Sequence, residues 1–110
     1  PVVSISGDGG FLFNSQELAT AAQFDINVIA VVFNDQAYGN VKRDMRELFN
    51  DKSLGVELHN PDFMKLADAY GVVGMRVDGA NDLAIALKKA VGLNKPVLIE
   101  VPVGVMPNPF

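Results

Sequence analysis

The chain contains no cysteine and only one histidine. A disulfide framework and cysteine-ligated zinc are thereby excluded, and a reducing, cytoplasmic compartment fits. A single histidine with no partner in sequence builds neither a metal cluster nor a catalytic triad, so His59 reads as a structural or surface residue. No apolar run approaches the ~20 residues of a membrane-spanning helix, and no charged-then-apolar leader opens the sequence. Basic residues number 9 against 13 acidic ones, for a net charge of −4, and they do not cluster. Nucleic acid, whose phosphates would be repelled, is not an expected partner, and neither is a membrane.

What is present is 110 residues with 49% apolar composition and no low-complexity tract. That makes residues 1–110 one globular domain or part of one. So high an apolar share in so short a chain predicts surface that neighbours outside it cover. Pro1 leads directly into an apolar strand with no cap or linker, which predicts a piece of a larger polypeptide.

Strand and helix patterns alternate along the chain. Val2 to Ser6 reads as a strand apolar enough to be buried on both faces, and Gly7 to Phe13 as a turn. A helix capped by Asn14 or Ser15 runs to about Phe24 and buries Leu18, Ala21, Ala22 and Phe24. Val28 to Phe33 is an unbroken run of six apolar residues, the clearest strand. A helix from near Tyr38 carries Val41, Met45, Leu48 and Phe49 on one face, and its charges form a solvated face with Arg43 and Glu47 as an i,i+4 pair. Asn50 to Asn60 has no sustained period and reads as a flexible loop, placed to act as a lid. Pro61-Asp62 opens a helix with Phe63, Leu66, Ala67 and Tyr70 inward and Gly71 at its end. Val72 to Val77 is a third strand. Gly79-Ala80-Asn81 caps a helix with Leu83, Leu87, Ala90 and Val91 inward. Pro96 to Val101 is the last strand, and Pro102 to Phe110 a tail that packs on a neighbouring domain. The pattern predicts an α/β fold, a doubly wound parallel sheet with helices on both faces, present as a partial domain.

The stretch Gly7 to Tyr38 organises the rest. A strand, a glycine-rich turn and a helix start leave backbone N–H groups free to cradle a phosphate. Asp8 inside that turn has the wrong sign for a bare phosphate and makes sense with a hard divalent cation between carboxylate and phosphate. Asp35 follows 27 positions later, after one helix and one strand. Two adjacent parallel strands bring their carboxyl ends together, where ligands collect in open α/β sheets, so the two acids are expected to share one ion.

Gly7-Asp8-Gly9 followed at this distance by Asn34-Asp35 resembles the thiamine diphosphate motif, the Gly-Asp-Gly to Asn-Asn signature of the diphosphate-binding domain. The fill agrees, through Glu17-Leu18-Ala19-Thr20-Ala21, Val28-Ile29-Ala30-Val31-Val32-Phe33 and Tyr38-Gly39. The pattern is most similar to the acetolactate synthase and decarboxylase group, including enzymes like benzoylformate decarboxylase. The resemblance implies thiamine diphosphate and Mg²⁺ as cofactors, with Asp8, Asp35 and the main-chain carbonyl of Ala37 as metal ligands. Gly9 and Gly10 would approach the diphosphate through their amides, where a side chain would hold the backbone away. Tyr38 is counted with the cofactor-binding residues and, with Asn40, would line the substrate pocket, core packing being the other reading of Tyr38. Asp35 stands where the family usually has a second asparagine; it adds a negative charge yet remains an oxygen ligand.

The resemblance also implies what the chain lacks. The family's activating glutamate belongs to a pyrimidine-binding domain, supplied by a neighbouring subunit of a homo-oligomer, and Glu17 is a first-turn helix charge instead. No catalytic residue is assigned here, and the chain alone is expected to be inactive. Three readings follow: part of an enzyme acting on a 2-keto acid by decarboxylation or carboligation, a non-catalytic cofactor-holding subunit, or an unrelated α/β domain for another phosphorylated ligand.

Overall fold

Residues alternate between two faces along Val28–Asn34 and Val97–Pro102, the two central strands, and each face carries its own apolar layer. A computed structural model describes residues 1–105. In chain order it contains β1 (Val2–Gly7), α1 (Asp8–Leu12), α2 (Glu17–Gln23), β2 (Val28–Asn34), α3 (Gly39–Leu48), α4 (Phe63–Tyr70), β3 (Val73–Arg76), α5 (Ala80–Leu93) and β4 (Val97–Pro102). All strand pairs are parallel, in the order β1-β2-β4-β3. Ile29, Val31, Val97 and Ile99 pack with Ala86 and Ala90 of α5. Ala30, Val32 and Leu98 pack on the opposite side with Leu18 of α2 and with Phe63 and Ala67 of α4. The period of two in each strand thus feeds two helical layers, and the expected doubly wound α/β sheet is what forms.

Local signals explain the element ends. Asp62 caps α4, its carboxylate accepting from the amides of Met64 and Lys65, and Pro61 stands just before the cap. Gly71 closes the same helix at φ 73°, a left-handed conformation that glycine adopts without cost. At the other end of the chain the structure departs from expectation. Gly7 is extended and Asp8 already begins α1, so the predicted turn Gly7 to Phe13 is largely a short helix. Phe11 supplies the reason: its ring meets Phe63 edge to face at 5.8 Å and docks α1 on α4. The helix expected from Asn14 starts at Glu17, without a side-chain cap, and Phe24 is 66% exposed rather than buried.

β1 is an edge strand, and Val2, Val3 and Ile5 are exposed, not buried on both faces. On α3 no residue is buried, and Val41 and Leu48 face outward although they share the predicted apolar stripe. The Arg43–Glu47 pair does not form: Arg43 meets Asp44 at 3.2 Å, Arg46 meets Glu47 at 3.7 Å, and Lys42 meets Glu57 at 2.6 Å. Val91 of α5 is exposed because the helix turns Ala86 and Ala90 to the sheet. Of the expected tail, residues 106–110 lie outside the described residues.

The packing yields a stability prediction. Phe63 is fully buried, so Phe63→Ala is expected to cost about 3–5 kcal/mol. Phe24→Ala, at an exposed position, is expected to cost under ~0.5 kcal/mol. The shift in urea midpoint of the polypeptide carrying the domain measures both.

Candidate functional site

Gly7 and Phe33 are the last registered pair of β1 and β2. Asp8 and the Asn34-Asp35 dipeptide therefore leave the sheet side by side, at the carboxyl ends of the strands. Both acids border one cavity of about 480 Å³, a volume typical of small-molecule sites. All six residues predicted to bind cofactor, Asp8, Gly9, Gly10, Asp35, Ala37 and Tyr38, line it. Ile5, Phe33, Val41 and Val103 add apolar walls. His59 is exposed and does not line it.

The loop after β2 is shaped by its own side chains. Asn34 Oδ1 accepts from the amide of Gln36 at 3.2 Å, and Asp35 Oδ1 from the amide of Ala37 at 3.1 Å. These two consecutive turns place Gln36 at φ 57° and bury Ala37. Residues 56–58 brace the loop from outside, where Tyr38 N–H donates to the Val56 carbonyl and Leu58 N–H to the Gln36 carbonyl, each at 2.8 Å. The later half of the expected flexible loop Asn50 to Asn60 is therefore pinned, with Val56 buried. No backbone amide among the described residues donates to the Ala37 carbonyl, which leaves that oxygen available.

Asp8 is 2% exposed. Its Oδ1 accepts from the Gly9 amide at 2.9 Å and its Oδ2 from Asn60 Nδ2 at 2.6 Å. No lysine, arginine or histidine pairs with it among the described residues. Beside it, burial pushes the Asp35 carboxyl above the ordinary carboxylate range; the Ala37 amide pulls the other way, and the Asp8 charge adds to the rise. Two neighbouring acids without a counter-charge are an unstable arrangement unless one of them takes up a proton or a cation joins them. Among the described residues no group of three or more His, Cys, Asp or Glu side chains could hold a metal. A cation here would take two carboxylates, a main-chain carbonyl and further oxygens from a ligand, a donor set that fits Mg²⁺.

Packing adds a second constraint at Gly9. A Cβ there would lie 2.5 Å from Tyr38 Cε1 and 3.2 Å from Leu58 Cδ1, so the aromatic ring occupies the space. Gly10 faces open space. Tyr38 itself is 37% exposed and lines the cavity, which decides against core packing.

Two polar residues escaped the sequence reading. Asn60 reaches Asp8 across 52 positions and also donates to Asn34 Oδ1 at 2.9 Å. Glu100, 3% exposed in β4, accepts from Asn34 Nδ2 at 2.8 Å and from Arg76 Nε at 2.7 Å. A charge inside an otherwise apolar strand was the available signal for Glu100; Asn60 had none beyond its place before Pro61.

Residues 1–101 match the family model described as thiamine pyrophosphate enzyme, C-terminal TPP binding domain. The chain is 40% identical over 101 residues to a probable acetolactate synthase large subunit of Methanocaldococcus jannaschii, covering 91% of this chain and 17% of that protein. It is 38% identical over 107 residues to an acetolactate synthase of Bacillus subtilis, covering 97% and 19%. Among solved structures it superposes on benzoylformate decarboxylase from Polynucleobacter necessarius with a TM-score of 0.90 and 29% identity, covering all of this chain and 21% of that one. The chain thus spans about a fifth of the length of these relatives.

Two predictions arise from the geometry. In the metal-free protein Asp35→Asn is expected to raise the thermal midpoint. The Asp35 value is raised on folding, so its stabilising contribution is complete below the ordinary carboxylate range and lost as pH rises through the raised value. The gain should accordingly be larger at pH 7 than at pH 4. Gly9→Ala is expected to displace the Tyr38 ring, and the double variant Gly9→Ala/Tyr38→Ala to be less impaired in cofactor binding than the two single losses added.

Proposed function

We propose, since this chain belongs to the thiamine pyrophosphate enzymes as their C-terminal TPP binding domain, that it binds thiamine diphosphate through Mg²⁺ within an enzyme acting on 2-keto acids. The reaction is a decarboxylation or an acetolactate synthase-like carboligation, which makes the complete protein a lyase or transferase. The observation that carries the reading is the buried Asp8 carboxylate, with no basic partner among the described residues, next to an Asp35 whose charge the same environment resists.

Asp8, Asp35 and the Ala37 carbonyl hold the cation, while Gly9 and Gly10 bring backbone to the diphosphate and Tyr38 forms a wall of the same cavity. Their work would be to bind and orient: the two carboxylates and the Ala37 carbonyl would hold the ion at the strand ends, where the diphosphate would supply its remaining oxygens. The chemistry that the cofactor supplies when bound is an electron sink for the carbanion formed from the substrate. No residue of this chain is assigned a catalytic proton. Activation is left to a pyrimidine-binding domain on a neighbouring subunit of a homo-oligomer, and this chain alone is inactive. The exposed apolar residues of β1 and α3 support a partner surface there. A cytoplasmic location belongs to the same reading and rests on the absence of cysteine.

Family membership removes the unrelated phosphate-binding domain as an explanation and leaves the non-catalytic cofactor-holding subunit as the second reading. Calorimetry on the full-length polypeptide should detect thiamine diphosphate binding that requires Mg²⁺. Asp8→Ala should weaken it at least ~100-fold, roughly 2.7 kcal/mol, without unfolding the domain. Binding indifferent to Mg²⁺ would reject the assignment of the two aspartates. Turnover of pyruvate or benzoylformate by the same protein is expected; its absence despite metal-dependent binding would favour the cofactor-holding subunit.

A further inference from the structure

Asn60 lies outside the sequence motif, in the segment before α4, yet its side chain touches both halves of that motif. Its amide nitrogen donates to Asp8 Oδ2 at 2.6 Å and to Asn34 Oδ1 at 2.9 Å. The assignment of that nitrogen follows from the partners. An ionised carboxylate can only accept, and Asn34 has already turned its own amide nitrogen toward Glu100 Oε1 at 2.8 Å. Glu100 is held in turn by Arg76 Nε at 2.7 Å. The four bonds link Arg76 on β3, Glu100 on β4, Asn34 on β2, Asn60 and Asp8 into one network, in which Glu100 accepts from Arg76 and from Asn34, and Asn60 donates to Asn34 and to Asp8.

The other end of the Asn60 amide is the informative part. Its Oδ1 is buried and accepts no hydrogen bond among the described residues. An asparagine retained only to fold its loop would satisfy the acceptor as readily as the donors. Here the orphaned oxygen is tolerated while both amide hydrogens are spent on the site. Each donor also leaves the remaining lone pairs of the Asp8 carboxylate free and fixes the plane in which they lie.

We infer that Asn60 is a positioning residue for the cation: it locks the Asp8 carboxylate and the Asn34 side chain to one another, so that the metal meets a preformed set of oxygens. The inference rests on the reading that Asp8 is a metal ligand. A hydrogen bond to a buried charge is directional and strong, and its loss frees the carboxylate to rotate toward Asp35 or away from the cavity.

The test uses the full-length polypeptide, saturated with thiamine diphosphate and titrated with Mg²⁺, with bound cofactor read by calorimetry and the thermal midpoint read separately. Asn60→Ala is expected to raise the half-saturating Mg²⁺ concentration at least tenfold. Asn60→Ser keeps a hydroxyl but cannot span both acceptors, and is expected to do the same should the alanine variant not fold. Gly71→Ala puts a side chain at the left-handed residue that ends the adjoining helix α4, at φ 73°, and touches none of the bonded residues. It should lower the thermal midpoint while leaving the Mg²⁺ requirement within twofold of the unaltered protein. The inference is overturned if the Asn60 variants stay within twofold, or if Gly71→Ala raises the requirement as far as they do. Binding by the unaltered protein that is independent of Mg²⁺ would instead bring down the Asp8 reading, and this inference with it.

Discussion

A carboxylate taken out of water without a counter-ion is among the costliest features a fold can contain, and the strand-end site is built around one. Asp8 is buried where β1 gives way to α1, and its hydrogen-bond partners are a backbone amide and an asparagine, both neutral. Neither cancels its charge. Asp35 arrives from the next strand only partly buried, and the two charges oppose each other. The parallel pairing of β1 with β2 forces this meeting, because strands that run together must end together. What would be a defect in a structural core is the feature on which the proposed cation site rests.

The sheet can sustain that demand because its centre is independent of the site. β2 and β4 are flanked on both sides by strands and covered on both faces, so Ile29, Val32, Leu98 and Ile99 anchor the frame regardless of what happens at the strand tips. Phe11 against Phe63 ties the short helix that starts at Asp8 to that frame. The cavity is then walled by residues whose backbones cannot drift far, and the loop after β2 is closed by hydrogen bonds from residues 56–58 and by Val103 N–H on the Asn34 carbonyl.

The site was legible to the extent that it depends on local order along the chain. Asp8, Asp35, Ala37 and Tyr38 fall within one strand–helix–strand unit, and periodicity alone predicts where its two strands end. Asn60 was not legible, because its contact with Asp8 is set by tertiary packing of a segment with no period of its own. Glu100 escaped for a related reason: strand patterning reports a face, not the partner waiting across it. The burial of β1 was misjudged because an apolar run does not say whether a strand is central or at an edge, and β1 has a neighbour on one side only. At Gly9 the packing adds a constraint that local sequence does not report, since the ring that excludes a side chain there comes from Tyr38. On α3 the apolar stripe was read correctly as a stripe, but nothing within these residues covers it.

The paired turns at Asn34 and Asp35 have a bearing on ion size. Asn34 commits its one side-chain oxygen, and Asp35 one of its two, to an amide of the same loop, so the direction of the remaining Asp35 oxygen is set by backbone geometry. Calcium accepts six to eight oxygens at longer and more variable distances, whereas magnesium requires a tight octahedron. A loop braced from within would resist the widening that the larger ion asks for, so the cation proposed for this site would be selected by its radius.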